Sequence, residues 1–373
     1  MSEKRKLRLL VISTSFFTVP GRYGGVEEVV ANLVSALTSG SRELEFEYEI
    51  VLAAAAGSGE GLDCEVIELY EPYFPRRVAS NEWHAYDQAS RALAQRLAFS
   101  GQYGEFDLAS DHTIPGPGYV YANPEVPALV TLHNTSPSRW LPMFLSRLAP
   151  EPKLAYAAIA RHELIKAQEQ GINPISLCYN GEDVESFTRV ARGIEQEGYF
   201  SFLGRMHGDK DVARACRIAL AAGVNLKIAG RNNDPEYFDR EVRPLIDANP
   251  ERLQYLGEIS AEEKPRFLAK SKGMIFPVSW AEGFGMVIVQ AWACGIPVFG
   301  SRNGSLPELL DADPRTGVAS ADDTVLEHAV RDAAAGRRFS REACFSRALD
   351  FTNVQMALSY ERAFKALLAR NAQ

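Results

Sequence analysis

Short apolar runs alternate with helical patterns along this chain, and they do so in two successive series. In the first, residues 9–13, 48–55, 66–69, 108–110, 128–132, 154–159 and 175–178 read as strands, with helices at 25–37 and 83–99. In the second, strands at 199–203, 226–229, 253–255, 273–276 and 297–299 alternate with helices at 210–222, 235–248, 262–270 and 284–293. Strand–helix alternation of this length implies parallel sheets covered on both faces. Two series imply two doubly wound α/β domains. A length of 373 residues, 46% of them hydrophobic, also exceeds one ordinary core.

The join is expected within residues 180–198. Asn180-Gly181-Glu182-Asp183 is turn chemistry, and residues 185–198 mix charge and glycine with little apolar periodicity. The expected domains are therefore 1–182 and 183–352. The last helix, 353–369, carries Val354, Leu358, Phe364 and Leu368 as an apolar face to bury.

A net charge of −8 argues against broad nucleic-acid binding, which needs a basic footprint. The five cysteines, Cys64, Cys178, Cys216, Cys294 and Cys344, include no Cys-x-x-Cys pair, so a zinc ribbon or dithiol site is not indicated. A reduced cytoplasm is the simplest setting. Lys4, Arg5 and Lys6 ahead of an apolar run loosely imitate an export signal, but Arg8 interrupts that run and Ser13-Thr14-Ser15 ends it. It reads as a buried first strand. No other stretch approaches a membrane span. Arg76, Arg77, Arg91 and Arg96 lie in or near a candidate helix and read as a solvated face rather than a lipid-binding one.

Three stretches carry chemistry. Residues 281–298 place Glu282 ahead of a glycine turn, then an apolar helix, then a Cys-Gly-Ile-Pro-Val stop. Backbone N–H groups at a helix start hold phosphate, here from Phe284, Gly285 and Met286. A carboxylate beside them accepts hydrogen bonds from sugar hydroxyls. Phosphate and sugar together point to a nucleotide-sugar site. The second stretch, residues 202–210, ends a strand at Gly204 and sets Arg205 and Lys210 beyond its carboxyl end, where open α/β sheets bind ligands. Arg chelates phosphate oxygens through parallel bonds, and Lys supplies a point charge. The third, residues 20–28, follows the first strand; Gly24 and Gly25 allow close backbone approach at a helix start. It lacks the dinucleotide spacing G-x-G-x-x-G.

His133 and His112 each end an apolar strand, a position that often faces the ligand side of such a fold, although a single His is more commonly structural, an alternative that stays open for His112. His84, His162 and His328 read as surface helix positions, and His207 sits in the basic loop. No two histidines have metal-ligand spacing with a carboxylate. Asp311-Ala312-Asp313 reads as a solvated turn, Trp292 as core, and Cys294 as a small buried apolar residue.

Together these positions resemble glycosyltransferase family 4, the large retaining group with the GT-B fold. The resemblance rests on Gly24-Gly25-Val26-Glu27, Thr131-Leu132-His133, Asn180-Gly181-Glu182-Asp183, Gly204-Arg205 with Lys210, Ala229-Gly230, Leu256-Gly257, the stretch from Glu282 to Pro297, and Gly304-Ser305-Leu306-Pro307-Glu308. It implies two Rossmann-like domains facing a central cleft. The N-terminal one, completed by the final helix, serves the acceptor; the C-terminal one holds a nucleotide-sugar donor.

It further implies that Arg205 and Lys210 neutralise the leaving diphosphate without a metal or other cofactor. Glu282 would bind hydroxyls of the donor sugar. Phe284, Gly285 and Met286 would line the sugar and phosphates, with Gly24, Gly25 and Gly204 near the diphosphate. Gly257 and Glu258 would lie close to the nucleobase. His133 would approach the reacting sugar, with His112 and Asn134 on the acceptor side. The implied reaction is transfer to an acceptor hydroxyl with retention. The acceptor is a small molecule, a lipid-linked sugar or a polysaccharide.

The chain departs from the family where a second Glu is usual, eight positions after Glu282: here stands Gln290, which the resemblance makes a donor-binding residue. Where that Glu accepts from the ribose hydroxyls, Gln keeps one acceptor oxygen, adds two donors and loses the charge, so altered ribose contacts are expected. Ser110 and Asn134 also depart, standing where some relatives have His and Gly. The alternatives are a nucleotide-sugar-binding protein of the same fold with weak or lost catalysis, a sugar-nucleotide epimerase, or a phosphorylase.

Overall fold

The computed structural model describes residues 4–14, 16–21, 25–70, 83–113, 125–134 and 151–371. Gly24, Arg76 and Arg77 lie outside the described residues. The chain forms two compact units. Unit 1 comprises Met1–Gly181 with Asn353–Gln373, and unit 2 comprises Glu182–Thr352.

Among the described residues of unit 1, seven strands form one sheet: β1 (Arg5–Ile12), β2 (Phe46–Ala54), β3 (Glu65–Glu68), β4 (Leu108–Asp111), β5 (Ala128–Leu132), β6 (Leu154–Ala158) and β7 (Ser176–Leu177). Their order is β3-β2-β1-β4-β5-β6-β7, and every pairing is parallel. The central strands are buried on both faces, which is why β4 and β5 read as unbroken runs rather than alternating ones. The edge strand β3 buries only Ile67.

The helix Asn353–Asn371 belongs to unit 1. Its buried stripe is Met356, Tyr360, Phe364 and Leu367, whereas Val354, Leu358 and Leu368 are only half-buried. Two polar anchors set this rotation. The Tyr360 hydroxyl lies 2.9 Å from that of Thr131. The Glu361 carboxylate accepts the backbone N–H groups of Glu45 and Phe46 and the Tyr48 hydroxyl, at 3.0–3.2 Å.

In unit 2 the strands are β8 (Tyr199–Leu203), β9 (Asn225–Ala229), β10 (Leu253–Tyr255), β11 (Met274–Phe276), β12 (Val298–Gly300) and β13 (Gly317–Ala319). They pair in parallel in the order β10-β9-β8-β11-β12-β13. Phe200, Phe202, Phe276 and Phe299 form a fully buried aromatic core on this sheet.

The expectation of two Rossmann-like parallel-sheet domains holds. One local expectation does not. Residues read as linker form the helix Val184–Ala191. Asp183, read as turn chemistry, is its N-cap, with its carboxylate accepting from Ser186 N–H. The structure also adds β13 and the helices Asp323–Ala334 and Arg341–Ala348, which the strand–helix reading missed.

Candidate functional site

The strand order of unit 2 reverses between β8 and β11. That is where an open α/β sheet leaves a crevice at its carboxyl edge. Lys210 and Glu282 arrive there from different loops. Lys210 closes a short turn, Gly208–Lys210, ahead of the helix Val212–Ala222, rather than starting the helix itself. His207 caps this turn, its Nδ1 accepting from Asp209 N–H at 3.2 Å.

The loop beyond β11 is stitched to that turn. Ser279 N–H donates to the Asp209 carbonyl at 3.0 Å, and the Ser279 hydroxyl donates to the Gly208 carbonyl at 3.0 Å. As a result Lys210 Nζ donates to Glu282 Oε2. Trp280 Nε1–H donates to the same oxygen at 2.9 Å. The ammonium also lies 5.3 Å from the Trp280 ring centre and 5.5 Å from that of Phe276. Mutual neutralisation lets this pair stand with side chains only 12% exposed. Trp280 has no place in the sequence-level site. The indication was an indole donor two residues before the candidate carboxylate.

A third loop fixes the Glu282 backbone. Ser305 N–H donates to the Glu282 carbonyl at 2.9 Å, and the Ser305 hydroxyl donates to the Phe284 carbonyl at 2.8 Å. Gly304 allows this approach. It sits at φ +60°, and a Cβ there would stand 2.2 Å from the Glu282 carbonyl oxygen. Gly285, at φ +86°, turns the chain into the helix Met286–Ala293. The first-turn N–H groups of a helix have no partner within it, which suits an anion.

The remaining donor-side residues divide. Arg205 is exposed beyond β8 and makes no side-chain hydrogen bond or ion pair among the described residues. Gly204 directly follows the last residue of that strand, Leu203. Phe284 is buried, its ring edge-on to Phe351 at 5.7 Å, so any part it plays at a ligand falls to its backbone. Met286 is half-buried. Gly257 accepts from Gly230 N–H at 2.8 Å, and Glu258 beside it is exposed.

Gln290 is buried, its amide Nε2–H donating to Glu182 Oε2 at 2.7 Å. Trp292 and Cys294 are core, as read: the indole donates to the Thr316 carbonyl at 3.0 Å, and burial pushes the Cys294 thiol pKa up. A cavity of about 480 Å³ opens at the opposite edge of the sheet, lined by Glu197, Tyr199, Lys227 and Arg252. It lies at the strands' amino ends, away from these groups.

In unit 1 the equivalent reversal lies between β1 and β4. His112 follows β4, and His133 follows the neighbouring β5. Their rings meet: His112 Nδ1 lies 3.0 Å from His133 Nε2, and Ser110 Oγ lies 3.0 Å from His112 Nε2. Ser110 therefore extends a histidine pair made by His112 with His133.

Tyr360 stacks on His112 at 5.6 Å. Burial drives the His112 pKa down to about 3. Burial, then the neighbouring His112, holds His133 well below the usual range, against a smaller opposing pull from Asp111. Both rings are neutral at pH 7, so the shared proton between them ties their tautomers together. Asn134 beside them is half-buried.

Gly25 is exposed at the first position of the helix Gly25–Thr38. Two residues on, Glu27 is buried and accepts from the Thr14 hydroxyl at 2.5 Å; burial raises its pKa to about 7. Arg91 corrects the reading of a solvated cationic face. It is buried, and its Nε–H donates to Asp111 Oδ2 at 2.5 Å. Arg96 is exposed as read. Among the described residues no His, Cys, Asp and Glu cluster has the makings of a metal site, and no helix is long and apolar enough to cross a membrane.

Residues 197–335 match the family described as Glycosyl transferases group 1. The O-antigen chain mannosyltransferase B of Escherichia coli is 34% identical over 112 residues, covering 26% of this chain and 29% of that one. The phosphatidyl-myo-inositol mannosyltransferase of Propionibacterium freudenreichii is 26% identical over 50% of this chain and 49% of its own length. The chain thus spans between about a quarter and a half of these curated relatives.

Among solved structures, AviGT4, a glycosyltransferase involved in avilamycin A biosynthesis, matches with a TM-score of 0.70 at 21% identity, over 97% of this chain and 98% of that one. Anabaena Alr3699/HepE, in complex with UDP-glucose, matches with a TM-score of 0.67 at 16% identity, over 96% and 100%. The two units therefore have the Rossmann-like domains of the GT-B fold, and residues 197–335 carry a glycosyl transferases group 1 domain.

Proposed function

We propose that this chain is a glycosyltransferase that moves a sugar from a nucleoside-diphosphate sugar to an acceptor hydroxyl. The observation that carries the reading is the grouping of Lys210, Glu282 and Trp280 at the β8–β11 reversal, with Arg205 unpaired on the same edge. It lies within the residues that match the group 1 family. The Anabaena structure with UDP-glucose and the two mannosyltransferase relatives support the same class of donor and reaction.

On this reading unit 2 binds the donor. Glu282 accepts hydrogen bonds from hydroxyls of the transferred sugar. Arg205 and Lys210 draw off the negative charge that grows on the departing diphosphate, a task that in other enzymes falls to a metal ion. Gly257 and Glu258 serve the nucleobase, and Gly24 and Gly25 the diphosphate. His133 serves the transferred sugar, and His112 and Asn134 the acceptor. Transfer proceeds with retention by a front-face route, in which the departing phosphate oxygen takes the acceptor proton. The protein contributes positioning and preorganised charge.

Removing one such charge-stabilising group commonly costs ~10²–10³ in rate. Arg205→Ala and Lys210→Ala should each lower turnover by that order while the far-ultraviolet dichroism stays native. Near-normal turnover in both variants sinks the mechanism. The donor is found by thermal shift against a panel of nucleotide sugars, because a ligand present at 100 times its Kd adds about 2.7 kcal/mol of stability. Mass spectrometry of products from small-molecule, lipid-linked and polysaccharide acceptors then identifies the acceptor class. It also separates transfer from epimerisation.

A further inference from the structure

Ser110, His112 and His133 form a line of hydrogen bonds at the carboxyl edge of the unit 1 sheet. Ser110 Oγ lies 3.0 Å from His112 Nε2, and His112 Nδ1 lies 3.0 Å from His133 Nε2. Ser110 and His112 are fully buried, and His133 is 8% exposed. Among the described residues the Ser110 hydroxyl has His112 as its one partner, and His133 Nδ1 has none. Tyr360, stacked on His112 and anchored through its hydroxyl to Thr131, holds the His112 ring between its two partners.

Proton counting fixes the direction of this line. A serine hydroxyl carries one hydrogen, and burial without an acceptor for it is costly. The acceptor in reach is His112 Nε2. Burial keeps both rings neutral, and a neutral imidazole carries its proton on one nitrogen only. His112 therefore holds its proton on Nδ1 and donates it to His133 Nε2. His133 in turn carries its own proton on Nδ1, the nitrogen that the described residues leave free. The reverse direction would strand the Ser110 hydrogen, which disfavours it by about 5- to 150-fold.

We propose that Ser110 is a positioning residue: acting through His112, it holds His133 as the Nδ1–H tautomer, so that His133 meets a ligand oxygen as a hydrogen-bond donor and is closed to use as a base. The ligand half rests on the nucleotide-sugar reading above; the direction of the relay does not. A hydroxyl suits the head of such a line, because it has one hydrogen and no tautomer of its own to settle.

The test reads the rings directly. Proton–nitrogen correlation spectra of the full chain, isotopically labelled at the histidine nitrogens, tell a protonated ring nitrogen from a bare one. The chain has six histidines, and His112→Gln and His133→Gln assign the two concerned. At neutral pH both wild-type rings should carry Nδ1–H at about fivefold excess or more. In Ser110→Ala either direction leaves one buried nitrogen of His112 unmatched, so the excess should fall to within about twofold of unity. Ser110→Thr keeps the hydroxyl and should keep the excess. Ser110→Cys puts a weaker donor in a similar volume and should give an intermediate excess. It serves the same comparison if melting temperatures show that the alanine variant does not fold. Turnover is the poorer readout, because halving the competent tautomer lowers the rate only about twofold.

A wild type with a bare His133 Nδ1 overturns the positioning role. So does a folded Ser110→Ala or Ser110→Cys as biased as the wild type. For the ligand half, a nucleotide sugar that raises the melting temperature of Ser110→Ala should draw His133 back to Nδ1–H, since a ligand oxygen selects the donor form. Binding that leaves the mixture unchanged overturns the ligand half and leaves the glycosyltransferase reading intact. If no nucleotide sugar binds even the wild type, that reading and the ligand half fall together, and the relay is judged by the ring spectra alone.

Discussion

The loops beyond β8 and β11 in unit 2 and those beyond β4 and β5 in unit 1 sit at the same carboxyl edge of the same kind of sheet. Their chemistry is opposite. In unit 2 a lysine and a glutamate are each other's partner, and Arg205 is exposed beside them. In unit 1 two histidines meet each other, a serine and a tyrosine ring, and burial keeps them neutral against a smaller pull from Asp111. One site is equipped to answer a developing charge and the other to point hydrogen bonds. The shared topology sets where a ligand meets each sheet, while burial and partner choice set what each edge can do.

The largest expected effect tests the charged side. The loss of ~10²–10³ in turnover for Arg205→Ala or Lys210→Ala should come without loss of stability in Arg205→Ala, whose side chain is exposed. Lys210→Ala leaves the Glu282 carboxylate without its cation and should also lower the melting temperature. A turnover loss in Arg205→Ala that tracks melting temperature instead would make that residue structural, and the contrast with unit 1 would fail.

Next is the clamp on the Glu282 backbone. Gly304→Ala forces a Cβ to 2.2 Å from the Glu282 carbonyl oxygen and 2.4 Å from its nitrogen, at positive φ. Overpacking against backbone together with the φ strain should cost about 2–4 kcal/mol in urea unfolding and raise the donor KM. Gly257→Ala is the control: φ is +74° but nothing lies within 4 Å of the new atom. It should cost only about 1–2 kcal/mol, the φ penalty alone. Equal losses would mean that the clamp is not what holds Glu282.

The neutral side is tested by pH. His112 has a folded pKa near 3 against 6.5 unfolded, so between those values the unfolded chain binds more protons and stability falls as the pH drops. Each such histidine contributes about 1.4 kcal/mol per pH unit in that window. Glu27 works the other way: its folded pKa near 7 exceeds the ordinary 4.5, so from pH 4.5 to 7 stability falls as the pH rises. The slopes partly cancel between pH 4.5 and 6.5. Glu27→Gln should uncover the histidine slope, steepening acid destabilisation there by about 1 kcal/mol per pH unit. Identical urea-unfolding profiles for the two proteins would show that one of the buried groups does not titrate as its surroundings require.

How far the sequence foretold this follows from burial. Strands enclosed on both faces leave an apolar run, so β8 was legible to the residue as Tyr199–Leu203. The helix Val184–Ala191 was not, because Val184 and Ala191 are its only buried residues and its cap resembled a turn. Arg205, Lys210 and Glu282 were visible because charge at a strand end has few other uses. His112 and His133 were each singled out, but their contact depends on β4 lying beside β5, which no local pattern encodes. Arg91 looked solvated on its helix, and only the strand order brings Asp111 to it. Glu182 and Gln290 are likewise joined by packing rather than spacing.

The smallest expected effect sharpens the charged side most. Trp280→Phe removes the indole N–H from Glu282 and keeps an aromatic ring near Lys210. One hydrogen bond to a charged acceptor is worth about 1.5–3 kcal/mol at most, and the surviving Lys210 contact should hold part of it. A three- to tenfold fall in turnover is expected, with unchanged stability. If a diphosphate draws Lys210 away from Glu282 as it binds, the indole becomes the carboxylate's remaining holder, and the loss should appear in kcat rather than in the donor KM. A loss confined to KM would place Trp280 with the ground-state contacts. Lys210 would then stay with Glu282 throughout, and the positive charge at this edge would fall to Arg205 alone.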